Sequence, residues 1–497
     1  MTSSNSRNTP LHIQNDDFRE LGHELVDKLA DFYDSLPERK VKHDEGVREI
    51  RQILGERSLP ENGTAPKIIL DDAYEKLVDH SLLNGHPRFL GYITASPAPI
   101  GALADFMAAA INPNVGAWQL APMATEIELQ TVRWIAELIG FPSDCGGVLV
   151  SGGNMANFVG FLAARKHKYP GDVRKEGTSA CDGNPRVYCS AATHTWVQKA
   201  ADLFGLGTDA IRWIDVDEEQ RMKPQALKAQ IELDQAAGDM PLMVIGTAGS
   251  VSTGAIDPLP KLSQICKQYD LWFHVDGAYG GFAACLSDAP EDLKGLSLAD
   301  SVAIDPHKWL YQPLEAGCAL VRDRQIQAEA FSYHPVYYRW EDVAKEEIPL
   351  NLVDYTPQNS RGFRALKVWM SLRQAGRSGY QSMISEDIAL AQRLNELAEE
   401  HPELQAHSCH LSISTFRFVP AGIDPDDKNN QEMLNELNGH LLTTLQQQGE
   451  MFVSNAFIDE RFLLRACVVN FRTSLSDIEA IPDIVVRTGR EVFAALG

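Results

Sequence analysis

Seven short apolar runs constrain this chain more than any other feature. They are GVLV (147–150), RVYCS (186–190), AIRWIDV (210–216), PLMVIG (241–246), LWFHVD (271–276), DSVAID (300–305) and GCALV (317–321). Gly, Pro or Asp bounds them, and stretches of helical periodicity separate most of them. Runs this short and this apolar fit strands buried on both faces, which requires helices above and below. The predicted fold class is therefore α/β with a mostly parallel sheet. Ligands of such sheets sit beyond the carboxyl ends of the strands, where loops and helix N-termini converge. The polar motifs at those ends are the first places to look for chemistry.

The flanks read differently. Residues 1–15 are polar and expected to fray. Phe18, Leu21, Leu25, Leu29 and Phe32 then recur at helical spacing, with Asp16 or Asp17 placed to cap the start and Pro37 to end the helix. Helical pieces broken at Pro60–Gly63 continue to about residue 85 without an obvious core of their own, so residues 1–85 read as an arm that packs on a partner subunit. Beyond about residue 375, a long helix precedes two alternating stretches, LSISTFRF (411–418) and FLLRACVVNF (462–471), which predict a small α+β unit. The expected division is 1–85, 86–375 and 376–497, in keeping with a 497-residue chain too long for one core.

A formal net charge of -23 argues against nucleic acid and against an anionic membrane as partners. The eight cysteines are scattered with no CxxC pair, which fits buried thiols in a reducing compartment rather than a disulfide frame or a metal site. The N-terminus has no apolar core for a signal peptide, and no stretch approaches the roughly 18 apolar residues that would span a bilayer. The expectation is a soluble, cytoplasmic protein.

Three motifs close strands of the predicted sheet. Ser151-Gly152-Gly153-Asn154-Met155-Ala156-Asn157 follows GVLV and opens a helix. Small residues there let backbone N–H groups approach an anion at a helix N-terminus, although Gly-Gly alone equally marks a tight turn. His274-Val275-Asp276-Gly277-Ala278-Tyr279-Gly280 places a carboxylate at a strand end, where it can hold a proton on a ligand nitrogen or merely cap a helix. Asp305-Pro306-His307-Lys308-Trp309 sets a lysine between a histidine and a tryptophan. Partial desolvation would make that lysine an amine nucleophile, the plain alternative being a surface lysine beside aromatics.

Together, a phosphate cradle, a carboxylate for a ring nitrogen and an aldehyde-capturing lysine form the set that pyridoxal 5'-phosphate requires. Their order and spacing resemble the group II, or aromatic-L-amino-acid, decarboxylases of the fold-type I pyridoxal-phosphate enzymes. The resemblance runs from FRELGHELVDKLADFY through HPRFLGYITAS and LAPMATEIE to RGFRALKVW and LRACVVNFRTS, and is strongest at HVDGAYGG and DPHKW. It implies the fold-type I transferase fold with a seven-stranded sheet, pyridoxal phosphate as cofactor, a homodimer and no metal.

The resemblance also implies roles. Lys308 is the Schiff-base lysine, and Asp276 pairs with the pyridine nitrogen. Gly152, Gly153, Asn154, Asp305 and His307 surround the phosphate. His194 stacks on the ring, Ala278 packs against the other face, and Ser250 reaches the phenolic oxygen region. Tyr337 matches a catalytic-loop tyrosine that protonates Cα, with Tyr338 leaving the register open. Asp305 stands where several relatives carry Asn, and Gly-Gly-Asn replaces the Ser-Ala-Ser of animal aromatic decarboxylases.

The implied activity is decarboxylation of an L-amino acid to the amine and carbon dioxide. Phe89, Tyr92, Ile93 and Trp118 are candidate pocket walls that suit a flat aromatic side chain, or are simply packing. Ser360 aligns with a position that is Ser in plant relatives acting on phenols and Gly in indole-specific ones. Tyrosine, dihydroxyphenylalanine, tryptophan and phenylalanine are the expected substrates. Glutamate, aspartate and diaminobutyrate stay open, as does aldehyde synthesis. An aminotransferase or a non-enzymatic relic fits the motifs less well, the latter because both Lys308 and Asp276 are present.

Overall fold

The computed structural model of the chain describes residues 9–55, 58–169, 171–180, 183–333 and 349–496. Its N-terminal part is helical: α1 (Asn15–Ser35), α2 (Val47–Leu54), α3 (Pro66–His80) and α4 (Pro99–Ile111). The N-cap of α1 is Gln14, and Asp16 and Asp17 lie within its first turn instead of capping it. There they still favour the helix, because negative charge complements the N-terminal end of the macrodipole. Neither α1 nor α2 buries a single residue in the isolated chain.

Each of the seven apolar runs forms a strand: β1 (Gly146–Val150), β2 (Pro185–Ser190), β3 (Ile211–Ile214), β4 (Met240–Thr247), β5 (Trp272–Asp276), β6 (Ser301–Ile304) and β7 (Gly317–Val321). The sheet order is β1-β7-β6-β5-β4-β2-β3. The run β3, β2, β4, β5 and β6 is parallel, while β7 is antiparallel to both β1 and β6. That reversal leaves β1 and β6 pointing the same way. The carboxyl ends of β1, β4, β5 and β6 consequently open on one edge of the sheet, which brings the three sequence motifs together.

Both faces are covered. Leu149, Val244, Phe273 and Val302 join one core with residues of α5 (Pro122–Leu138), whereas Val148, Met243, Ile245 and Ala303 join the other with residues of α6 (Gly153–Lys168). Burial of each of the larger of these side chains contributes about 1.5–3 kcal/mol, which makes the two cores the main hold on the sheet.

The C-terminal part holds a second, antiparallel sheet of β8 (Leu404–His410), β9 (Ile413–Phe418), β10 (Ser454–Ile458) and β11 (Arg461–Cys467), in the order β10-β11-β9-β8. The two alternating stretches supply β9 and β11, and β8 and β10 are additional. The long helix spans Ala365–Glu400, beginning ahead of residue 375, with a kink at Gly376 (φ 65°). The HPRFLGYITAS segment runs along this C-terminal part: Leu90 N donates to Phe452 O and Cys467 N donates to Leu90 O, each at 2.8 Å. Seven cysteines are free thiols, six of them buried and Cys409 half-buried; Cys181 lies outside the described residues. Among the described residues no helix is long and apolar enough to cross a membrane.

Candidate active site

The turn after β1 is shaped by what cannot fit there. Gly152 has φ 118°, a conformation that side chains rarely adopt. A Cβ on Gly153 would lie 2.7 Å from Asp305 Oδ2, and one on Gly317 would lie 2.5 Å from the backbone of Gly152. Gly152 is also the N-cap of α6 and offers no side-chain cap. The first N–H groups of this sixteen-residue helix are thus available to an anion in the adjoining cavity.

Asp276 closes β5 and is 7% exposed. Its Oδ2 accepts the indole N–H of Trp196 at 2.8 Å and its Oδ1 accepts the backbone N–H of Ala278 at 3.1 Å. Trp196 escaped the sequence reading, and its one signal is its place two residues after His194 in a helix-opening loop. His194 lines the cavity at its exposed rim. Its Nδ1 accepts Trp196 N at 3.3 Å, so the neutral ring carries its proton on Nε2. Desolvation holds that ring below the usual imidazole range, while Asp276 pulls it upward.

Beyond β6, Asp305 begins the short helix Pro306–Trp309 that carries Lys308. Asp305 Oδ2 is 3.3 Å from Lys308 Nζ and 3.4 Å from His307 Nε2. The other oxygen, Oδ1, is buried and has no hydrogen-bond partner. His307 Nδ1 accepts Ala316 N at 3.1 Å, which turns its Nε2–H towards Asp305. Burial lowers the His307 pKa, with Asp305 opposing. Trp309 stacks on Tyr279 at 4.9 Å and donates to Asp387 Oδ2 at 2.9 Å, and Tyr311 donates to the same oxygen at 2.7 Å. Burial pushes the Asp387 carboxyl up to about 7. The lysine turn is therefore braced from behind by the long helix.

A cavity of about 380 Å³ unites these groups. Of the predicted site residues, Gly152, Gly153, Asn154, His194, Asp276, Ala278, Asp305, His307 and Lys308 line it, joined by Thr247, Gly249 and Val251, which the sequence reading had not singled out. Thr247 Oγ1 is buried without a hydrogen-bond partner. Ser250 is turned away, its hydroxyl 2.8 Å from that of Thr253.

The five predicted substrate contacts do not line the cavity of the single chain. Phe89 is buried against Phe452 at 5.6 Å. Tyr92, with φ 53°, is 54% exposed, and Ile93 packs on the main core. Trp118 donates its indole N–H to Glu126 Oε1 at 2.9 Å, and Ser360 is exposed. Trp118 and Ser360 belong to one pair of loops, joined by the Val115 N to Arg361 O and Trp118 N to Asn351 Oδ1 bonds. The buried Arg361 clamps that pair to β1 through Leu149 O at 2.7 Å and an ion pair with Glu128. Tyr337 and Tyr338 lie outside the described residues.

An amine, a braced carboxylate and a bare helix N-terminus around one cavity can seat an anionic, aldehyde-bearing heterocycle. Comparison with known proteins points to the same chemistry. Residues 49–418 match the pyridoxal-dependent decarboxylase conserved domain. An aromatic-L-amino-acid decarboxylase of Bacillus atrophaeus is 32% identical over 94% of this chain and 94% of its own length. Tyrosine decarboxylase 4 of Petroselinum crispum is 28% identical over 97% of this chain and 94% of its own. The structure of Oryza sativa TDC with PLP and tryptamine superposes with a TM-score of 0.89 at 26% identity, covering 98% of this chain and 99% of that one.

Proposed function

The chain belongs to the pyridoxal-dependent decarboxylase family, and from that premise we propose that it removes the α-carboxylate of an aromatic L-amino acid as carbon dioxide and releases the amine. The observation that carries the reading is the convergence of Lys308, Asp276 and the Gly152–Gly153 turn on one cavity. These residues fit pyridoxal phosphate. Gly152, at φ 118° and without a side-chain cap, leaves the first N–H groups of α6 open to an anion, and Thr247 Oγ1 is a buried hydroxyl without a hydrogen-bond partner in a residue that lines the same cavity.

When bound, the cofactor supplies an electron sink for the pair that departing carbon dioxide leaves behind. The protein's part is to place and protect. Lys308 Nζ is the amine that would hold the cofactor's aldehyde carbon. Asp276, fixed by Trp196 and Ala278, keeps a proton on the ring nitrogen. The N–H groups at the start of α6 hold the phosphate, with Asn154 and His307 beside it. His194, at the exposed rim, would cover the ring, and its Nε2–H is left free to donate. Tyr337 is assigned delivery of the proton to Cα, the step that makes the product an amine.

Support for an aromatic substrate comes from the names of the relatives, an aromatic-L-amino-acid decarboxylase and a tyrosine decarboxylase. We also assign the partner of the N-terminal arm as a second copy of this chain. The helix α4 exposes Leu103, Phe106, Met107 and Ile111, and α1 exposes Phe18 and Val26, an apolar surface that a homodimer would cover. The scattered cysteines, with no CxxC pair, support a cytoplasmic location.

The test is a panel of L-amino acids assayed for carbon dioxide and amine together. Release of both from tyrosine, dihydroxyphenylalanine, tryptophan or phenylalanine is expected. Turnover of glutamate or aspartate alone would overturn the substrate class, and an aldehyde in place of the amine would overturn the reaction.

A further inference from the structure

Behind the phosphate turn lies a chain of buried polar groups that has no direct part in the chemistry. His274, two residues before Asp276 in β5 and fully buried, places Nε2 2.7 Å from Asn157 Oδ1 and Nδ1 2.7 Å from Ser301 Oγ. Asn157, in the second turn of α6, donates through Nδ2 to Gly153 O at 2.9 Å. Ser301 Oγ in turn accepts the indole N–H of Trp272 at 2.8 Å. The directions are consistent throughout. Trp272 donates to Ser301, Ser301 donates to His274 Nδ1, and His274 Nε2–H donates to the Asn157 carbonyl oxygen.

The network occupies space made for it. Gly160 faces the imidazole, and a Cβ there would come within 2.7 Å of His274 and 2.9 Å of Ser301 Oγ. Burial pushes the His274 pKa down to about 4, so the ring stays neutral, and its two hydrogen-bond partners select the tautomer. Trp196 meets the same ring edge-on at 5.6 Å while donating to Asp276. Polar groups this deeply buried cost stability unless every one is satisfied, and the hydrogen bonds along this chain satisfy its members. An apolar interior would be simpler. What the polar chain adds is direction, because it ends on the first carbonyl of a helix whose N-cap is a glycine without a side-chain cap.

We propose that His274 is a positioning residue: through Asn157 it holds the first turn of α6, and hence the phosphate end of the cofactor seat, in fixed relation to the strand that carries Asp276. The inference rests on the cofactor reading of the site. Asn157 also borders the cavity, whereas His274 and Ser301 do not, so the test uses the latter two.

The experiment compares binding of pyridoxal phosphate and of unphosphorylated pyridoxal to apoenzyme, followed by absorbance. Wild type is expected to prefer the phosphorylated form strongly; equal affinity there would fault the cofactor site itself, not the relay. His274→Phe should weaken pyridoxal phosphate about tenfold, the scale of one hydrogen bond lost to a buried acceptor, and leave pyridoxal within about twofold. His274→Gln, which restores a donor towards Asn157, should recover most of the loss. Equal weakening of both ligands, or none in a folded variant, overturns the proposal. Should His274→Phe not fold, Ser301→Ala decides: a selective loss of about threefold supports the relay, and an unselective loss or no change rejects it.

Discussion

The indole N–H of Trp196 donates to Oδ2 of Asp276 across 2.8 Å, from a residue eighty positions away in the chain. With Ala278 N on Oδ1, both oxygens of the carboxylate are held by neutral donors. Such donors orient a carboxylate without neutralising it, which leaves its charge to act on a ligand nitrogen. The aromatic ring that does the orienting is fully buried.

Trp196→Phe keeps the packing and removes the donor. A hydrogen bond to a charged group is worth about 1.5–3 kcal/mol, so kcat/KM should fall by about ten- to a hundredfold. KM should change little, since Trp196 does not line the cavity. Steady-state kinetics with a preferred aromatic substrate would show this, and a pure KM effect would contradict the assigned role.

Lys308→Ala removes the amine that captures the cofactor. Borohydride treatment followed by peptide mapping should place a reduced pyridoxyl group on the wild-type peptide 306–309 and on no peptide of the variant. Decarboxylation should fall by about 10³-fold, in the range expected for a group acting in the chemical steps. Labelling of the variant at another lysine would show that the assignment of Lys308 is mistaken.

Much of this arrangement was legible in the sequence because local chemistry announces it. Each strand of the large sheet is a short apolar run with Gly, Pro or Asp at one end or both, and the site motifs lie at carboxyl ends of those runs. Less legible were β8, LQAHSCH, which is mostly half-buried and polar, and β10, SNAFI, whose alternate residues face solvent. Side-chain direction in a tight turn was also hidden: Ser250 bonds Thr253 while its neighbours Gly249 and Val251 take the cavity wall. The braces on Asp276 and Trp309 come from residues eighty and seventy-eight positions away. No periodicity encodes such pairs, which exist only once the sheet has closed.

Asp387 offers a pH test of that closure. Its carboxyl is raised from 3.8 to about 7 in the folded protein, chiefly by burial. Between those values the folded state binds the proton and the unfolded state has lost it. The contribution to stability is thus fully present below about pH 4 and disappears as pH rises through about 7. Asp387→Asn stays neutral throughout, so its stability relative to wild type should improve across that window, by up to about 4 kcal/mol. Chemical denaturation of both proteins at several pH values would measure the difference; a constant offset would mean that Asp387 is ionised in the fold.

Gly152→Ala probes the phosphate turn. At φ 118° a side chain is strained whatever space surrounds it, at a cost of about 1–3 kcal/mol. The variant should lose that much stability as apoenzyme and should also bind pyridoxal phosphate more weakly, because the turn must distort. Unchanged cofactor affinity would separate the turn from the phosphate.

The helical N-terminal part, α4 included, is where an isolated chain makes least sense. The helix α4 leaves Phe106 51% and Ile111 68% exposed, and Phe18 of α1, stacked on Phe106 at 6.4 Å, is itself 52% exposed. Apolar side chains so grouped on one surface favour association. The face is not remote from the chemistry, for α4 packs through Gly101 on Pro313, a few residues past Lys308. Wild type should therefore sediment as a dimer at micromolar concentration. The double variant Phe106→Glu, Ile111→Glu should raise the dimer dissociation constant by at least about a hundredfold, since losing two central contacts commonly costs more than about 2 kcal/mol each. Activity should fall with dimer content upon dilution, because α4 is packed against the segment that follows Lys308. A monomeric wild type with full activity would remove this apolar face from any account of the site.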